Sequence, residues 1–198
     1  MHPVRPPALP TAVRPPADPG ARRKLLALLT GGPVARRVAA ADVRAYRAVR
    51  GAARPPLLPA VRAYSALGEH AGVWLVGGCA VALADRPRRR AWFGATAAVG
   101  AAYTLNTAAK AVVRRRRPRL TGLPALMRTP TALSFPSAHA SSSFAAARAF
   151  GALEPRARGP LYAAATAMAV SRVYLGVHYP TDILAGAALG TVVARIAR

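Results

Sequence analysis

The amino-acid sequence predicts an all-α fold, a bundle of about five transmembrane helices that follows a basic, partly disordered N-terminal region. Hydrophobic residues make up 53% of the 198 residues, and they gather in long runs rich in alanine and glycine. The runs lack the polar–apolar alternation of β-strands. Runs of this kind are typical of membrane-spanning helices, which need about 20 predominantly apolar residues.

The high positive charge of the chain indicates which kinds of partner it can bind. The net charge is +23, from 29 Lys and Arg residues against 6 Asp and Glu. Such an excess favours nucleic acid or an anionic membrane. The apolar runs favour the membrane, and the sequence has no helix-turn-helix, zinc-finger or RNA-recognition pattern, so we expect no specific nucleic-acid partner. The single cysteine, Cys79, lies in an apolar run, where we expect it to pack rather than react.

Two regions precede the predicted bundle. Residues 1–40 are rich in proline and arginine, which predicts a disordered tail. Residues 41–64 predict a basic amphipathic helix and a linker. Four arginines share one side of this helix: Arg44, Arg47, Arg50 and Arg54. The pattern favours a helix lying on anionic lipid headgroups, and it is equally compatible with a solvated linker helix.

The bundle itself is predicted from residue 65 to residue 198. The five candidate spans are roughly Ser65 to Ala84, Ala91 to Ala109, Ser137 to Leu153, Pro160 to Val177, and Thr181 to near the end. Because alternate spans reverse direction, the connection between the second and third spans lies on the same membrane face as that between the fourth and fifth. Gly186 and Gly190 are spaced by one helical turn, which predicts close helix packing in the last span.

Polar residues that could take part in catalysis are concentrated in the sequence SRVYLGVHYPTD, from Ser171 to Asp182. If its last part is helical, His178 and Asp182 lie on one face and can touch. A carboxylate beside an imidazole fixes its tautomer and supports positive charge on the ring. The guanidinium of Arg172 offers a fork of donors that suits phosphate oxygens. A lone His–Asp pair is more often structural, so this segment needs support from elsewhere in the chain.

That support comes from two upstream segments. KAVVRRRRP contains Lys110, Arg117 and Pro118, and PSAH contains Ser137 and His139. Together the three segments resemble the signature of the type 2 phosphatidic acid phosphatase family, K-x6-R-P, P-S-G-H and S-R-x5-H-x3-D. This family shares its site with vanadium haloperoxidases. The match is complete except for Ala138, which stands where the family usually has glycine.

The resemblance implies a membrane phosphatase domain over residues 65–198 and a role for each motif residue. It implies that His178 is a nucleophile that forms a phosphohistidine, that Asp182 orients it, and that His139 protonates the leaving group. Physical chemistry adds that cationic donors would hold the non-bridging oxygens: Lys110, Arg117 and Arg172. We assign no catalytic role to Arg114, Arg115, Arg116 or Arg119. No metal or other cofactor is expected.

Ser137 and Ala138 are predicted to open the third span, where backbone N–H groups can bind phosphate. Ser137 can serve at the same time as an ordinary helix cap. Alanine at position 138 would be strained if that position required a positive φ angle, and would be accepted in a helical first turn, which we expect.

The leading hypothesis is an integral membrane phosphatase in the cell membrane, with several spans. Its substrate would be phosphatidate, a polyprenyl phosphate or diphosphate, or a polyprenyl-linked sugar phosphate. One alternative is a haloperoxidase that binds vanadate in the same pocket, although such relatives are larger and soluble. The other is a non-catalytic membrane scaffold whose basic tail recruits anionic lipid.

Overall fold

The computed structural model describes residues 32–197, and every regular element within that range is a helix. The α-helices are α1 (Pro33–Gly51), α2 (Leu58–Leu67), α3 (Gly72–Ala84), α4 (Arg89–Val113), α5 (Ala138–Leu153), α6 (Arg158–Tyr174) and α7 (Pro180–Ile196). The beginning of α1 falls in the first of two compact units, Met1–Ala40, and the other helices belong to the second, Ala41–Arg198. The prediction of an all-α fold is confirmed.

Helix α5 lies at the centre of the second unit, in contact with α4, α6 and α7. Its sequence is almost entirely alanine, serine and other small residues, so neighbouring helices can approach it from several sides. The largest side chains of the core lie around Phe150 of α5, whose ring is 5.5 Å from that of Trp92 in α4. This aromatic contact packs α4 against α5.

The closest helix contact joins α7 to α5. A Cβ atom added to Gly190 would lie 1.9 Å from the backbone oxygen of Ser141, and one added to Gly186 would lie 2.5 Å from that of Ser137. No larger residue fits at either position without moving a helix. The predicted close packing through these glycines is therefore confirmed.

The first predicted span is broken, in contrast to the single helix expected from Ser65 to Ala84. Helix α2 ends at Leu67, and His70 and Ala71 have φ angles of 51° and 61°. The break places Gly68 against α5, where an added Cβ would be 2.7 Å from the ring of His139. Within residues 32–197 no individual helix meets the length and hydropathy expected of a membrane span, whereas Pro55–Leu67 and Glu69–Ala84, bent by 51°, meet them as a pair.

Helix α1 differs from the predicted helix in its start and in its buried face. It begins at Pro33, so residues 33–40 are helical and not part of a disordered tail, while residues 1–31 lie outside the described range. Asp42, Tyr46 and Arg50 are spaced by four residues and are buried. Arg50 therefore does not share the exposed side of Arg44 and Arg47, because its guanidinium donates to the backbone oxygen of Pro124, at 2.7 Å.

Helix α6 ends at Tyr174, before the predicted Val177, because the chain turns at Gly176. Gly176 has a φ angle of 75°, and backbone bonds run from its N–H to Val173 and from the Val177 N–H to Arg172. This is the left-handed helix ending that glycine favours. The turn at Gly176 and Val177 directs His178 back toward the start of α5.

Candidate active site

The start of α5 forms one wall of the site. Ser137 caps the helix, since its Oγ accepts from the N–H of Ala140 at 3.4 Å. Ala138 is the first residue of α5 and does not have a positive φ angle, so alanine is accepted there as expected. The Ser137 N–H donates to the backbone oxygen of Asp182 at 2.9 Å, which ties the second motif to the third.

His139 and Arg172 face each other across the end of α2. His139 Nε2 lies 3.1 Å from the backbone oxygen of Ser65 and 3.7 Å from Glu69 Oε2. Arg172 is 2% exposed, and its Nη1 donates to Ser65 Oγ at 2.6 Å. Its Nε is among the buried side-chain nitrogens of residues 32–197 that have no hydrogen-bond partner. A buried donor without a partner is costly, which indicates a position able to receive an anion.

His178 and Asp182 are in contact at the start of α7. His178 Nδ1 lies 3.4 Å from Asp182 Oδ2, a distance within ion-pair range, although Nδ1 has no hydrogen-bond partner. The predicted contact is confirmed, but its geometric origin differs from the prediction. His178 precedes the helix, and Asp182 reaches back to accept from the backbone N–H of Tyr179 at 2.8 Å. The dyad is thus built on a helix-capping turn.

Arg117 determines which nitrogen of His178 carries the ring proton. Arg117 Nη1 lies 3.1 Å from His178 Nε2 and donates to the Val177 backbone oxygen at 2.8 Å. A guanidinium has only donors, so Nε2 of His178 accepts and the ring proton resides on Nδ1, toward Asp182. Burial, followed by the charge of Arg117, holds the pKa of His178 well below its ordinary value. The ring is therefore a neutral imidazole whose Nε2 lone pair accepts from Arg117.

Most of the motif residues line one cavity of about 190 Å³. Its lining includes six of the eight residues that the sequence singled out: Lys110, Arg117, Ala138, His139, Arg172 and His178. Ser137 and Asp182 lie behind them and support the wall. The cavity therefore joins two histidines and three cationic side chains, which are groups that can carry out transfer of a phosphoryl group.

The sequence reasoning missed a carboxylate in this cavity. Glu69 lines it near His139, and its side chain is 36% exposed. One signal was present, since acidic residues are scarce in this chain and Glu69 stands beside an apolar run. The left-handed backbone at His70 and Ala71, which brings Glu69 to the site, has no comparable sequence signal.

The reasoning also missed the surroundings of Asp182. Arg115, to which the sequence gave no role, donates from Nη1 to Asp182 Oδ1 at 2.9 Å and from Nη2 to Asp42 Oδ2 at 2.7 Å. Asp42 in turn accepts from the backbone N–H of Thr181 at 2.9 Å. Metal-ligand clusters of three or more His, Cys, Asp or Glu side chains do not occur in the described part of the chain.

Comparisons with known proteins identify the family of the chain. Residues 91–198 match the PAP2 superfamily. Over 145 residues the chain is 43% identical to the decaprenylphosphoryl-5-phosphoribose phosphatase of Mycobacterium tuberculosis, covering 72% of this chain and 80% of that protein. The protein of the same name from Mycolicibacterium smegmatis is 41% identical over 139 residues, covering 68% of this chain and 74% of that protein.

A solved structure extends the comparison to the fold. A transmembrane PAP2-type phosphatidylglycerolphosphate phosphatase from Bacillus subtilis superposes with a TM-score of 0.69 at 22% identity, covering 90% of this chain and 91% of that one. The chain therefore has the all-helical fold of a membrane protein. Together with the superfamily match over more than half of its length, these similarities show that the chain belongs to the PAP2 superfamily.

Proposed function

We propose that this phosphatase removes the terminal phosphate from a polyprenylphosphoryl sugar phosphate, through a phosphohistidine on His178. The observation that supports the chemistry is the single cavity in which the Nε2 lone pair of His178 meets His139 and three cationic side chains. The observation that supports the substrate class is the similarity, over most of both chains, to two decaprenylphosphoryl-5-phosphoribose phosphatases.

In the first step, His178 Nε2 attacks phosphorus and the bond from phosphorus to the sugar oxygen breaks. His139 gives a proton to that oxygen as it leaves. The non-bridging oxygens bind the guanidinium of Arg172 and compete with His178 for Arg117, which frees the Nε2 lone pair for attack. Because the cations neutralise the phosphate charge, we propose that the reaction needs no metal ion.

In the second step, water attacks the phosphorus of the phosphohistidine and the bond between phosphorus and Nε2 breaks. His139, left neutral by the first step, accepts a proton from this water, and orthophosphate is released. Asp182, which lies 3.4 Å from Nδ1 of His178 in this structure, stabilises the positive charge that the phosphorylated ring carries.

A second cavity beside the first favours a substrate larger than phosphatidate. Its volume is about 690 Å³, and it shares Arg117, Pro130 and Thr131 with the catalytic cavity. Arg116 and Arg119 also line it. A polyprenylphosphoryl sugar phosphate carries a sugar and an anionic phosphodiester next to the phosphate that is removed. We propose that the second cavity holds these groups, with the two arginines beside the diester.

The test is release of orthophosphate by purified protein in detergent, with EDTA present. The panel contains a polyprenylphosphoryl ribose 5-phosphate, phosphatidate, a polyprenyl diphosphate and a soluble aryl phosphate. We expect the highest kcat/KM for the first, and a loss of at least about 10³-fold in His178→Asn. Turnover by His178→Asn equal to that of the wild type would overturn the mechanism, absence of turnover by the wild type would favour the scaffold hypothesis, and a preference for phosphatidate would overturn the substrate class.

Substitution of Arg119 tests the second cavity. Arg119→Gln should raise KM for the sugar-phosphate lipid about 10-fold, since charged hydrogen bonds contribute about 1.5–3 kcal/mol, and leave the aryl phosphate unaffected. Arg128→Gln is the matched control, because Arg128 lies in the same connection, is exposed, and lines neither cavity. An equal change for both substrates would contradict the assignment.

We also propose that the protein spans the cell membrane several times and that exposed arginines of α1 contact anionic lipid headgroups. Arg44 and Arg47 are exposed on α1, on the side away from the buried Tyr46. The protein is reconstituted in neutral nanodiscs and in nanodiscs with 30% anionic lipid, each carrying a fluorescent probe that is sensitive to contacts at the headgroups. For the wild type, the probe signal should differ between the two compositions. The difference should disappear in Arg44→Gln/Arg47→Gln, and its persistence would contradict this contact.

A further inference from the structure

The guanidinium of Arg115 lies between two buried carboxylates. Asp42 of α1 is 3% exposed, and Asp182, behind the nucleophile, is 0% exposed. Arg115 contacts both, at 2.7 Å and 2.9 Å, and its Nη1 also donates to Thr181 Oγ1 at 2.7 Å. A buried carboxylate is expensive to keep charged, and Arg115 contributes positive charge to both.

Asp42 completes the arrangement from the side of α1. One of its oxygens accepts from the Thr181 N–H in the first turn of α7, at 2.9 Å, and the other accepts from Arg115 and from the Thr181 hydroxyl. Helix N-termini have backbone N–H groups without partners inside the helix. The residue at the N-cap, Tyr179, lacks a short polar side chain that could satisfy them. Asp42 supplies that cap from a distant part of the chain.

Arg115 and Arg117 each hold one member of the dyad. The chain after α4 is extended where Arg116 pairs with Leu133, and residues two apart in an extended segment lie on the same face, so both arginines reach the dyad from one strand-like segment. Arg115 contacts Asp182 Oδ1, whereas Arg117 contacts His178 Nε2. Arg115 is absent from the lining of the catalytic cavity, so it reaches the substrate only through Asp182 and His178.

We infer that Asp42 and Arg115 are positioning residues, which fix the orientation of Asp182 and thereby the tautomer and direction of the His178 ring. The inference rests on the proposed function, since it assigns these residues to the same reaction. It also extends the catalytic assembly to α1, which lies outside the region that matches the superfamily, residues 91–198.

The experiment compares Arg115→Gln with Arg114→Gln, a matched control that removes the same charge from an exposed neighbouring residue. Kinetics are measured on the sugar-phosphate lipid, and nitrogen-15 NMR of histidine-labelled protein reports the tautomer of His178, assigned by its loss in His178→Asn. Arg115→Gln should lower kcat about 10- to 100-fold with KM within about 2-fold, and should mix the two His178 tautomers. Arg114→Gln should match the wild type.

Two further variants keep the test decisive. Arg115→Lys retains the charge but loses the planar guanidinium that donates to both carboxylates, so its kcat should lie between those of Arg115→Gln and the wild type. Asp42→Asn retains the side-chain volume and should lower kcat in the same direction, even if Arg115→Gln fails to fold. Wild-type kcat and tautomer in both Arg115→Gln and Asp42→Asn, or a raised KM with unchanged kcat, would overturn the inference. If the wild type hydrolyses no phosphate ester, the proposed function fails, and the tautomer measurement still decides this inference.

Discussion

The two ends of the helix bundle carry charged residues in contrasting ways. At the end formed by the α3–α4 and α5–α6 turns, Asp85 pairs with Arg88 three residues later, at 2.6 Å, and Arg88 lies 3.8 Å from Glu154. These side chains are partly exposed. At the other end, Arg115 joins Asp42 to Asp182, from segments distant in sequence, and both carboxylates are almost fully buried.

The difference shows which ion pairs hold parts of this molecule together. An exposed pair between near neighbours gains little, because water competes for both partners. A buried network is costly unless every member keeps its partner, so its geometry is held far more tightly. Long-range ion pairs at one end therefore fix the relative positions of α1, α7 and the connection after α4, which is what the candidate active site needs.

The largest expected contrast between the two ends comes from removing one carboxylate from each. Asp182→Asn should lower kcat about 10²- to 10⁴-fold, since the His178 ring loses the charge that orients and stabilises it. Glu154→Gln, the same change at the other end, should leave kcat within about 2-fold of the wild type. Steady-state kinetics on detergent-purified variants measure both. Similar losses of kcat in the two variants would contradict the distinction between the two ends.

A smaller effect concerns pH. In the proposed mechanism His178 attacks as a neutral imidazole, and burial and Arg117 lower its pKa, so the acid limb of kcat/KM should lie below the ordinary value of about 6.5. Arg117→Gln removes one cause and should move the limb upward, at reduced activity. The profile is measured between pH 4.5 and 8 and corrected for the substrate's own ionisation. A wild-type limb above pH 6.5 that Arg117→Gln leaves in place would contradict this assignment.

The smallest effect is expected for Asp85→Asn. Asp85 accepts from Arg88 and from Trp92 Nε1, the latter at 3.0 Å, at the beginning of α4. Asparagine can still cap the turn, so the variant should lose at most a few degrees of Tm and no turnover. Thermal unfolding followed by tryptophan fluorescence, with kinetics alongside, tests this. A loss of kcat as large as that of Asp182→Asn would show that the two ends are coupled.

The sequence predicted those features that depend on spacing within one segment. The separation of Gly186 and Gly190 by one helical turn predicted a close helix contact. The four-residue separation of His178 from Asp182 predicted that their side chains lie close together. The contacts of Arg115 were hidden because it is one of four consecutive arginines, and only the folded chain shows that Arg115 contacts Asp182 whereas Arg117 contacts His178. The break before α3 was hidden because His70 and Ala71 adopt left-handed angles that their residue types do not suggest.

The hydrogen bond from the Ser137 N–H to the backbone oxygen of Asp182 has a consequence for how this enzyme can diversify. It joins the beginnings of α5 and α7, so the two histidines are carried on one joined frame below the connection that crosses above it. Residues 119–125 of that connection contribute Arg119, Leu120, Thr121, Pro124 and Ala125 to the second cavity and hold none of the eight motif residues. Exchange of this segment with that of a relative should therefore alter which lipid is accepted while the hydrolytic apparatus stays in register.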